Sequence, residues 1–198
     1  MKSGDSDLGT DHAVQTVPKD PDPGLSPKAV AARVGDREVW IGNVGAIKRR
    51  LLAEMELDPE YVVSVNGTAT DVTTDHHPLQ DGSVNDPQQF ANAVAATRTH
   101  IRDPGTVLVN CSVGVSRSAT VAATAIAAEE GLSFDGAVAA IEANRPRARP
   151  HPKLQLNAYA YLATETSRPE ARRQFEELVD KMHLQGRNVE ALEAMVSM

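Results

Sequence analysis

Residues 105–120 constrain the fold more than any other segment. In them a β-branched run, typical of a strand, is followed by a short loop and then by an Ala-rich helical pattern. The loop runs from Cys111, the only cysteine of the chain, to Arg117. Its backbone N–H groups can converge on an oxyanion, and the N-terminus of the following helix adds partial positive charge. The same field favours the thiolate form of a cysteine, which is the nucleophile. The segment therefore predicts a phosphate-binding loop built around a nucleophile.

Three residues of this segment add to the prediction. The planar guanidinium of Arg117 can bind two phosphate oxygens at once. Gly114 lies mid-loop, where the backbone must turn tightly and approach a ligand, and the hydroxyl of Ser118 can donate a hydrogen bond towards the sulfur of Cys111. The N–H groups expected to bind phosphate belong to Ser112, Val113, Gly114, Val115, Ser116 and Arg117. The alternative is a buried structural cysteine at the end of a strand.

Strand-like and helical patterns alternate along most of the chain. Strands are predicted at about 37–41, 61–66, 72–77 and 105–110, and helices at about 44–56, 86–102, 117–130, 134–144 and 152–165. Asp86 is expected to cap the second of these helices and Ser133 the fourth. Such alternation predicts a single α/β domain, in which helices flank a central, largely parallel sheet of four to five strands.

Residues 111–120 closely resemble the signature loop of the cysteine-dependent dual-specificity protein phosphatases, which belong to the protein tyrosine phosphatase superfamily. The resemblance covers about residues 36–163 and implies a phosphatase-II-like fold. Its further segments are 38–42 (EVWIG), 62–65 (VVSV), 78–82 (PLQDG) and the RPxxxP turn at 145–150. In one departure, the family usually has His before the cysteine, whereas this chain has Asn110, whose side chain can still hydrogen-bond the loop.

Composition divides the chain into three parts. Residues 1–27 are rich in Asp, Gly, Pro and Ser and are predicted to form a disordered leader. Residues 28–167 hold the catalytic domain that the resemblance implies, and residues 168–198 are predicted to form a helical tail. In the tail, Pro169 begins one helix and Asn188 caps a second. The apolar stripes of these helices either pack on the domain or contact a second copy or another partner.

Composition also excludes several classes of function. The net charge of −7 and the pI near 5.3 argue against nucleic-acid binding. No apolar run is long enough for a signal peptide or a membrane span. A single cysteine excludes an intramolecular disulfide and fits a reducing compartment. The cytoplasm is therefore the predicted location.

Transfer of a phosphoryl group to a thiolate requires an acid that protonates the departing oxygen. Three aspartates compete for this role, namely Asp75, Asp81 and Asp86. Asp86 already has a structural role as a helix cap, and Asp75 lies inside a strand-like stretch. Asp81 is followed by Gly82 and Ser83 just after a strand end, a pattern that resembles the general-acid loop of the family. Asp81 is therefore the predicted acid, and Asp86 is the alternative.

Two further clusters are predicted to have no catalytic chemistry of their own. His76 and His77 are adjacent on a strand and point to opposite faces, so they do not easily bind one ion. Neither a metal nor another cofactor is expected. Arg145, Arg147 and Arg149 are interpreted as the solvated charges of a turn that ends a helix, and the alternative is that one of them attracts an anionic substrate.

The residues together predict a phosphomonoester hydrolase that acts through a phosphocysteine intermediate. In this interpretation Cys111 is the nucleophile, Arg117 binds the phosphate and the transition state, Asp81 is the general acid and base, and Ser118 stabilises the thiolate. The predicted substrates are phosphotyrosine and phosphoserine or phosphothreonine in a protein or peptide, and no nucleic acid or membrane is expected as a partner. The alternatives are a low-activity phosphoprotein-binding module, a phosphatase of a small phosphate ester, and a thiol enzyme that carries sulfur or reduces arsenate.

Overall fold

The structure, a computed structural model, describes residues 15–16 and 29–198. Within these residues, six strands form one sheet in the order β1-β2-β3-β6-β4-β5. The strands are β1 (Gln15–Thr16), β2 (Val30–Arg33), β3 (Val39–Gly42), β4 (Tyr61–Ser64), β5 (Asp75–His76) and β6 (Val107–Asn110). The four strands from β3 to β5 in this order pair in parallel, whereas β1 and β2 add an antiparallel edge. Most of the predicted leader, including residues 1–14, lies outside the described residues.

Helices cover both faces of the sheet. A 3-10 helix spans Val44–Ile47, and the α-helices are α1 (Arg49–Glu54), α2 (Pro87–Arg102), α3 (Arg117–Glu130), α4 (Phe134–Asn144), α5 (Pro152–Glu165), α6 (Pro169–Met182) and α7 (Arg187–Ser197). Two predicted caps are confirmed: Asp86 accepts a hydrogen bond from the Gln89 N–H, and Ser133 accepts one from the Gly136 N–H. These caps fix where α2 and α4 begin.

The central strand β6 separates two hydrophobic cores. Val107 and Val109 lie in the larger core, to which α2, α3 and α5 contribute. Leu108 lies in the smaller core with Ile47 and Leu52 on the other face of the sheet. All four residues of β6 are buried, because a central parallel strand is covered on both faces. The phosphate loop predicted after β6 therefore begins from the most constrained strand of the sheet.

The predicted α/β class and the largely parallel core of the sheet are confirmed, with four local differences. Strand β1 lies within residues 1–27, which were predicted to be a disordered leader, and its antiparallel pairing with β2 brings the sheet to six strands instead of the predicted four to five. Strand β2 is absent from the sequence-based prediction, because its sequence, VAAR, has no β-branched alternation beyond its first residue. The predicted strand at 72–77 shortens to Asp75–His76. The predicted helix at 44–56 divides at Lys48, whose ψ of 122° is extended, into the 3-10 helix and α1.

The C-terminal segment packs on the domain. Helix α6 contacts α5, and α7 contacts both α5 and α2, with Val189, Leu192 and Val196 buried. Gly186 rather than Asn188 occupies the N-cap position of α7, so the helix begins earlier than the sequence-based prediction has it. The helices of the described part of the chain include none that is long and apolar enough to cross a membrane.

Candidate active site

Residues 111–117, termed the phosphate loop, connect β6 to α3 at the carboxyl edge of the parallel strands. The Cys111 N–H donates to the Gly42 carbonyl at 3.2 Å, which ties the start of the loop to the end of β3. Gly114 has a φ of +69°, and a Cβ at this position would lie 2.7 Å from the carbonyl carbon of Gly42. Only glycine fits there, because both the left-handed backbone and the close approach exclude a side chain.

The Cys111 thiol lies at the base of the phosphate loop, and the residue is only 2% exposed. Its sulfur is 3.3 Å from the Ser118 hydroxyl and accepts a hydrogen bond from the Gly114 N–H at 3.2 Å. Burial raises the pKa of Cys111, but hydrogen bonds from the Ser118 hydroxyl and from the N–H groups of Ser118, Val113 and Gly114 outweigh it. The net pKa of Cys111 lies below its ordinary value, so the thiolate is favoured as predicted.

Arg117 is held across the mouth of the phosphate loop. Its Nη1 donates to the Leu79 carbonyl at 3.0 Å and its Nη2 donates to the Ser112 hydroxyl at 2.8 Å. The Ser112 hydroxyl in turn donates to Oδ1 of Asn66 at 2.7 Å. Nε of Arg117 is buried and has no hydrogen-bond partner among the described residues. The guanidinium is therefore oriented in advance and retains a donor for an anion.

Arg145 corrects the prediction that the basic turn carries only solvated charges. Its side chain is buried, with the residue 7% exposed, whereas Arg147 and Arg149 are exposed. Arg145 donates from Nε to the Gly114 carbonyl at 2.9 Å and from Nη2 to the Val113 carbonyl at 3.1 Å. The Arg149 N–H donates to the Val115 carbonyl at 2.7 Å. Three consecutive carbonyls of the phosphate loop are thus bound by residues 145–149.

The electrostatics of Arg145 follow from this position. Burial lowers the pKa of its guanidinium, while the nearby charge of Cys111 raises it and that of Arg147 lowers it. An arginine remains protonated even so, since its ordinary pKa is far above neutrality. The phosphate loop is therefore flanked by two positive charges, that of Arg145 on its carbonyl side and that of Arg117 at its mouth.

Of the three candidate acids, Asp81 contacts the phosphate loop. Its Oδ1 accepts a hydrogen bond from the Ser116 hydroxyl at 2.7 Å. The same hydroxyl accepts one from the His151 N–H at 3.2 Å. The competing carboxylates have other partners: Asp86 caps α2, and Asp75 pairs with Nε2 of His100 at 2.7 Å. Residues 79–85, which carry Asp81, are termed the acid loop below.

Asn110 does not support the phosphate loop in the predicted way. Its side chain is fully buried, and neither Oδ1 nor Nδ2 has a hydrogen-bond partner among the described residues. Asn110 shares the face of β6 that carries Leu108, since alternate residues of a strand point the same way. That face belongs to the smaller core, whereas Val109 and Cys111 belong to the larger core. Among the described residues, the Asn110 side chain therefore makes none of the hydrogen bonds to the loop of which an amide is capable.

Asn66 is a residue of the site that sequence reasoning missed. It follows the end of β4 at the carboxyl edge of the sheet, where ligand-binding residues of parallel sheets gather, and that position was the available signal. Nε2 of His76 lies 2.9 Å from the Asn66 carbonyl. Burial lowers the pKa of His77, with Asp75 raising it and His76 lowering it. The two histidines therefore differ in surroundings, and His76 contacts the residue that holds Ser112.

A strand, a Cys-x5-Arg loop and a helix thus meet at the edge of a parallel sheet, around a thiol whose pKa is lowered. Residues 39–162 match the family model described as "Dual specificity phosphatase, catalytic domain". This match spans more than half of the chain, and the chain belongs to that family. It is therefore a phosphatase of the protein tyrosine phosphatase superfamily, as the resemblance predicted.

Solved structures agree with this assignment. Human DUSP28 is 26% identical, with a TM-score of 0.56, and the alignment covers 69% of this chain and 94% of that chain. DUSP15 is 22% identical over 74% of this chain and 95% of that chain, with a TM-score of 0.53. PTPMT1 in complex with PI(5)P is 18% identical over 69% and 97%, with a TM-score of 0.57. The last two show a shared fold. A comparison with curated protein sequences found no match.

Proposed function

We propose that this phosphatase hydrolyses phosphomonoesters of proteins in two steps through a phosphocysteine intermediate. The single observation that carries the proposal is the buried Cys111 sulfur, which accepts a hydrogen bond from the Gly114 N–H of the loop that would also bind phosphate and lies 3.3 Å from the Ser118 hydroxyl. Hydrogen bonds to the charged form favour a thiolate, and a thiolate is the nucleophile that the reaction needs. The single cysteine also supports a reducing compartment such as the cytoplasm.

In the first step, phosphate docks on the N–H groups of residues 112–117 and on Arg117. The Cys111 thiolate attacks phosphorus in line, so that an S–P bond forms as the P–O bond to the leaving group breaks. Asp81 gives its proton to the departing oxygen. The donors of the phosphate loop stabilise the charge on the three equatorial oxygens, and because they are already oriented they need no rearrangement during the reaction.

In the second step, a water molecule attacks the phosphocysteine. The carboxylate of Asp81 takes a proton from this water as the new P–O bond forms and the S–P bond breaks. Inorganic phosphate leaves, Asp81 is again protonated, and the thiolate is regenerated. The Ser118 hydroxyl, 3.3 Å from the sulfur, stabilises the returning negative charge.

The proposed substrates are phosphotyrosine and phosphoserine or phosphothreonine in proteins or peptides. Residues 112–116 include no Lys or His, so the loop itself offers no extra cation for the further phosphates of a phosphoinositide. Val113 is 62% exposed on the loop and adds an apolar surface beside the cradle. Both features favour a monophosphorylated side chain on a polypeptide over a multiply charged headgroup.

The decisive experiment measures hydrolysis of an aryl phosphate across roughly pH 4.5–8 in a buffer with chelator. Cys111→Ser should remove activity by at least about 10⁴-fold, because the serine hydroxyl is not ionised in this range. Asp81→Asn should lower kcat by about 10²-fold and abolish the dependence on a protonated acid. Acid quenching of the wild type during turnover should trap phosphate on Cys111.

Asp86→Asn is the matched control for Asp81→Asn. Asparagine is as good an N-cap as aspartate, so α2 should be preserved while the same charge is removed. Wild-type activity in this variant is expected. Full activity of Cys111→Ser, or an equal loss in Asp81→Asn and Asp86→Asn, would overturn the proposed roles. Tight binding of phosphopeptide by a folded but inactive wild type would instead indicate a binding module.

A further inference from the structure

The connection between α6 and α7 meets the acid loop. Nδ2 of Asn188 donates a hydrogen bond to the Val84 carbonyl at 2.9 Å, and both residues are partly buried. A cavity of about 330 Å³ lies beside this contact, lined by Ser83, Val84, Lys153 and residues 184–189. The C-terminal segment thus touches the loop that carries Asp81, although it lies beyond the matched catalytic domain.

Besides the contacts of Leu79 with Arg117 and of Asp81 with Ser116, side-chain amides hold the end of the acid loop. Oδ1 of Asn85 accepts from the Gln80 N–H at 2.7 Å, and its Nδ2 donates to the carbonyls of Gln80 and Ser83 at 3.0 and 3.2 Å. Asn157 on α5 binds both the N–H and the carbonyl of Asn85 at 2.9 Å. These contacts fix the end of the loop at Asn85. The Val84 carbonyl is the point at which the C-terminal segment adds its own support.

Asn188 is well placed to act as a fixed support. It lies in the first turn of α7, and the next residue along, Val189, is buried together with Leu192 and Val196. Helix α7 contacts α5 and α2. Helix α5 also holds the loop end through Asn157, and α2 begins directly after the loop, with Asp86 as its cap. Because α7 is already packed on the domain, the Asn188 side chain can hold the loop with little further loss of its own conformational entropy.

We propose that the C-terminal segment is part of the catalytic unit, and that Asn188 is a positioning residue that holds the acid loop with Asp81 against the phosphate loop. This inference rests on the proposed function, in which Asp81 protonates the leaving group. Loss of the Asn188 contact lets residues 81–84 move into the neighbouring cavity and lowers the fraction of molecules in which Asp81 reaches the departing oxygen.

A leaving-group series separates this role from a merely structural one. Phenols of high pKa need the proton from Asp81 more than phenols of low pKa do, so a misplaced acid penalises the former selectively. Asn188→Ala should lower kcat/KM by about 2- to 10-fold for the poorest leaving groups and have little effect on the best. Asn188→Asp should behave alike, because a carboxylate cannot donate to the Val84 carbonyl.

Gln185→Ala is the matched control, since Gln185 is exposed and lines the same cavity. It should reproduce the wild-type series. In an Asp81→Asn background, Asn188→Ala should add no further loss for poor leaving groups. Thermal unfolding of each variant establishes that the compared proteins are folded.

The outcomes distinguish failure of the inference from failure of the proposed function. A leaving-group dependence in Asp81→Asn but not in Asn188→Ala would overturn the role of Asn188 alone. A uniform loss across the series in Asn188→Ala would also overturn it, because that result indicates general destabilisation. No leaving-group dependence in Asp81→Asn would overturn the role of Asp81 itself.

Discussion

The two loops of the candidate active site each contain a glycine with a φ of +69°, but their surroundings differ. Gly114 of the phosphate loop touches the backbone of Gly42, whereas a Cβ on Gly82 of the acid loop would meet nothing closer than 3.8 Å, at Nε2 of His151. The phosphate loop is bound through its main chain by β3 and by residues 145–149. The acid loop is bound through its main chain at Leu79, by the Val65 carbonyl and the Arg117 guanidinium, and beyond Leu79 by side-chain amides and one serine hydroxyl.

This difference matches what each loop has to do. A phosphoryl group has a fixed shape, so N–H donors that are held rigidly by packed backbone stabilise its transition state best. A general acid must reach leaving groups of different size, and side-chain hydrogen bonds allow a loop to adjust at modest free-energy cost. The comparison implies that a change in the backbone of the phosphate loop has a larger effect than the matched change in the backbone of the acid loop.

Among the variants that test this comparison, the largest effect is expected from Gly114→Ala, with Gly82→Ala as the matched change in the acid loop. Both place a side chain in a left-handed conformation, which costs about 1–2 kcal/mol. Gly114→Ala also forces a Cβ to within 2.7 Å of Gly42, so its unfolding free energy should fall by about 2–5 kcal/mol in all. Displacement of the loop should lower kcat/KM by at least about 100-fold.

Chemical denaturation and steady-state kinetics on the two glycine variants check this expectation. Gly82→Ala should lower the unfolding free energy only by the cost of the left-handed conformation, and its kcat/KM should fall much less than that of Gly114→Ala. Equal losses in both quantities would contradict the distinction between a rigid and an adjustable loop.

Arg145→Met should have the next largest effect. It leaves the carbonyls of Val113 and Gly114 without their side-chain donors, at a cost of about 1–3 kcal/mol for each buried group. It also removes a positive charge near the sulfur, so the pKa of Cys111 should rise. Because alkylation requires the thiolate, the inflection of the iodoacetamide rate should move to higher pH.

Two control variants should be measured beside Arg145→Met in this pH series of alkylation rates. Arg145→Lys keeps the charge but cannot bridge both carbonyls in the same way, so its inflection should lie between those of the wild type and Arg145→Met. Arg147→Met removes an exposed charge from the same turn and should leave the inflection nearly unchanged. A shift in Arg147→Met as large as that in Arg145→Met would show that burial is not what matters.

Ser116→Ala should have a smaller effect, of about 2- to 10-fold on kcat for a phenyl phosphate. The Ser116 hydroxyl joins the two loops, because it donates to Asp81 and accepts from the His151 N–H. Its removal should leave the pH dependence of Cys111 alkylation intact while reducing the rate of hydrolysis. Ser116→Thr retains the hydroxyl and should restore part of the activity. A large shift in the alkylation profile would mean that Ser116 acts on the nucleophile instead.

The sequence was sufficient for the parts of the site that are local in the chain. Cys111 follows the end of a strand, and Arg117 and Ser118 begin the next helix, so their spacing together with this strand–loop–helix context predicts their proximity. Asp81 was predicted by elimination and by resemblance, and the structure brings it to Ser116, which is 35 residues away in sequence. Alternation of strands and helices likewise predicted the α/β class.

The contacts of the remaining residues could not be predicted, because their partners are distant in sequence and no motif joins them. Arg145 binds a carbonyl 31 residues away, Ser112 binds Asn66 at a separation of 46, and Asn188 binds Val84 at a separation of 104. Composition cannot distinguish Arg145 from Arg147, since the path of the turn alone decides which side chain is buried. The periodicity of apolar residues would not reveal that Arg145 is buried either, because a charged residue in a core is an exception to that pattern.

The smallest effect is expected from Asn110→Ala. Neither polar atom of the Asn110 side chain has a hydrogen-bond partner among the described residues, so its removal breaks no bond to the phosphate loop. The alkylation profile of Cys111 and kcat/KM should change by no more than about 2- to 3-fold, and stability should rise or fall only slightly, because losing an unsatisfied buried amide offsets the small cavity that forms. A loss of kcat/KM of about tenfold, or a clear upward shift of the alkylation inflection, would show that Asn110 engages the loop during catalysis and that the face opposite Cys111 belongs to the rigid half of the site.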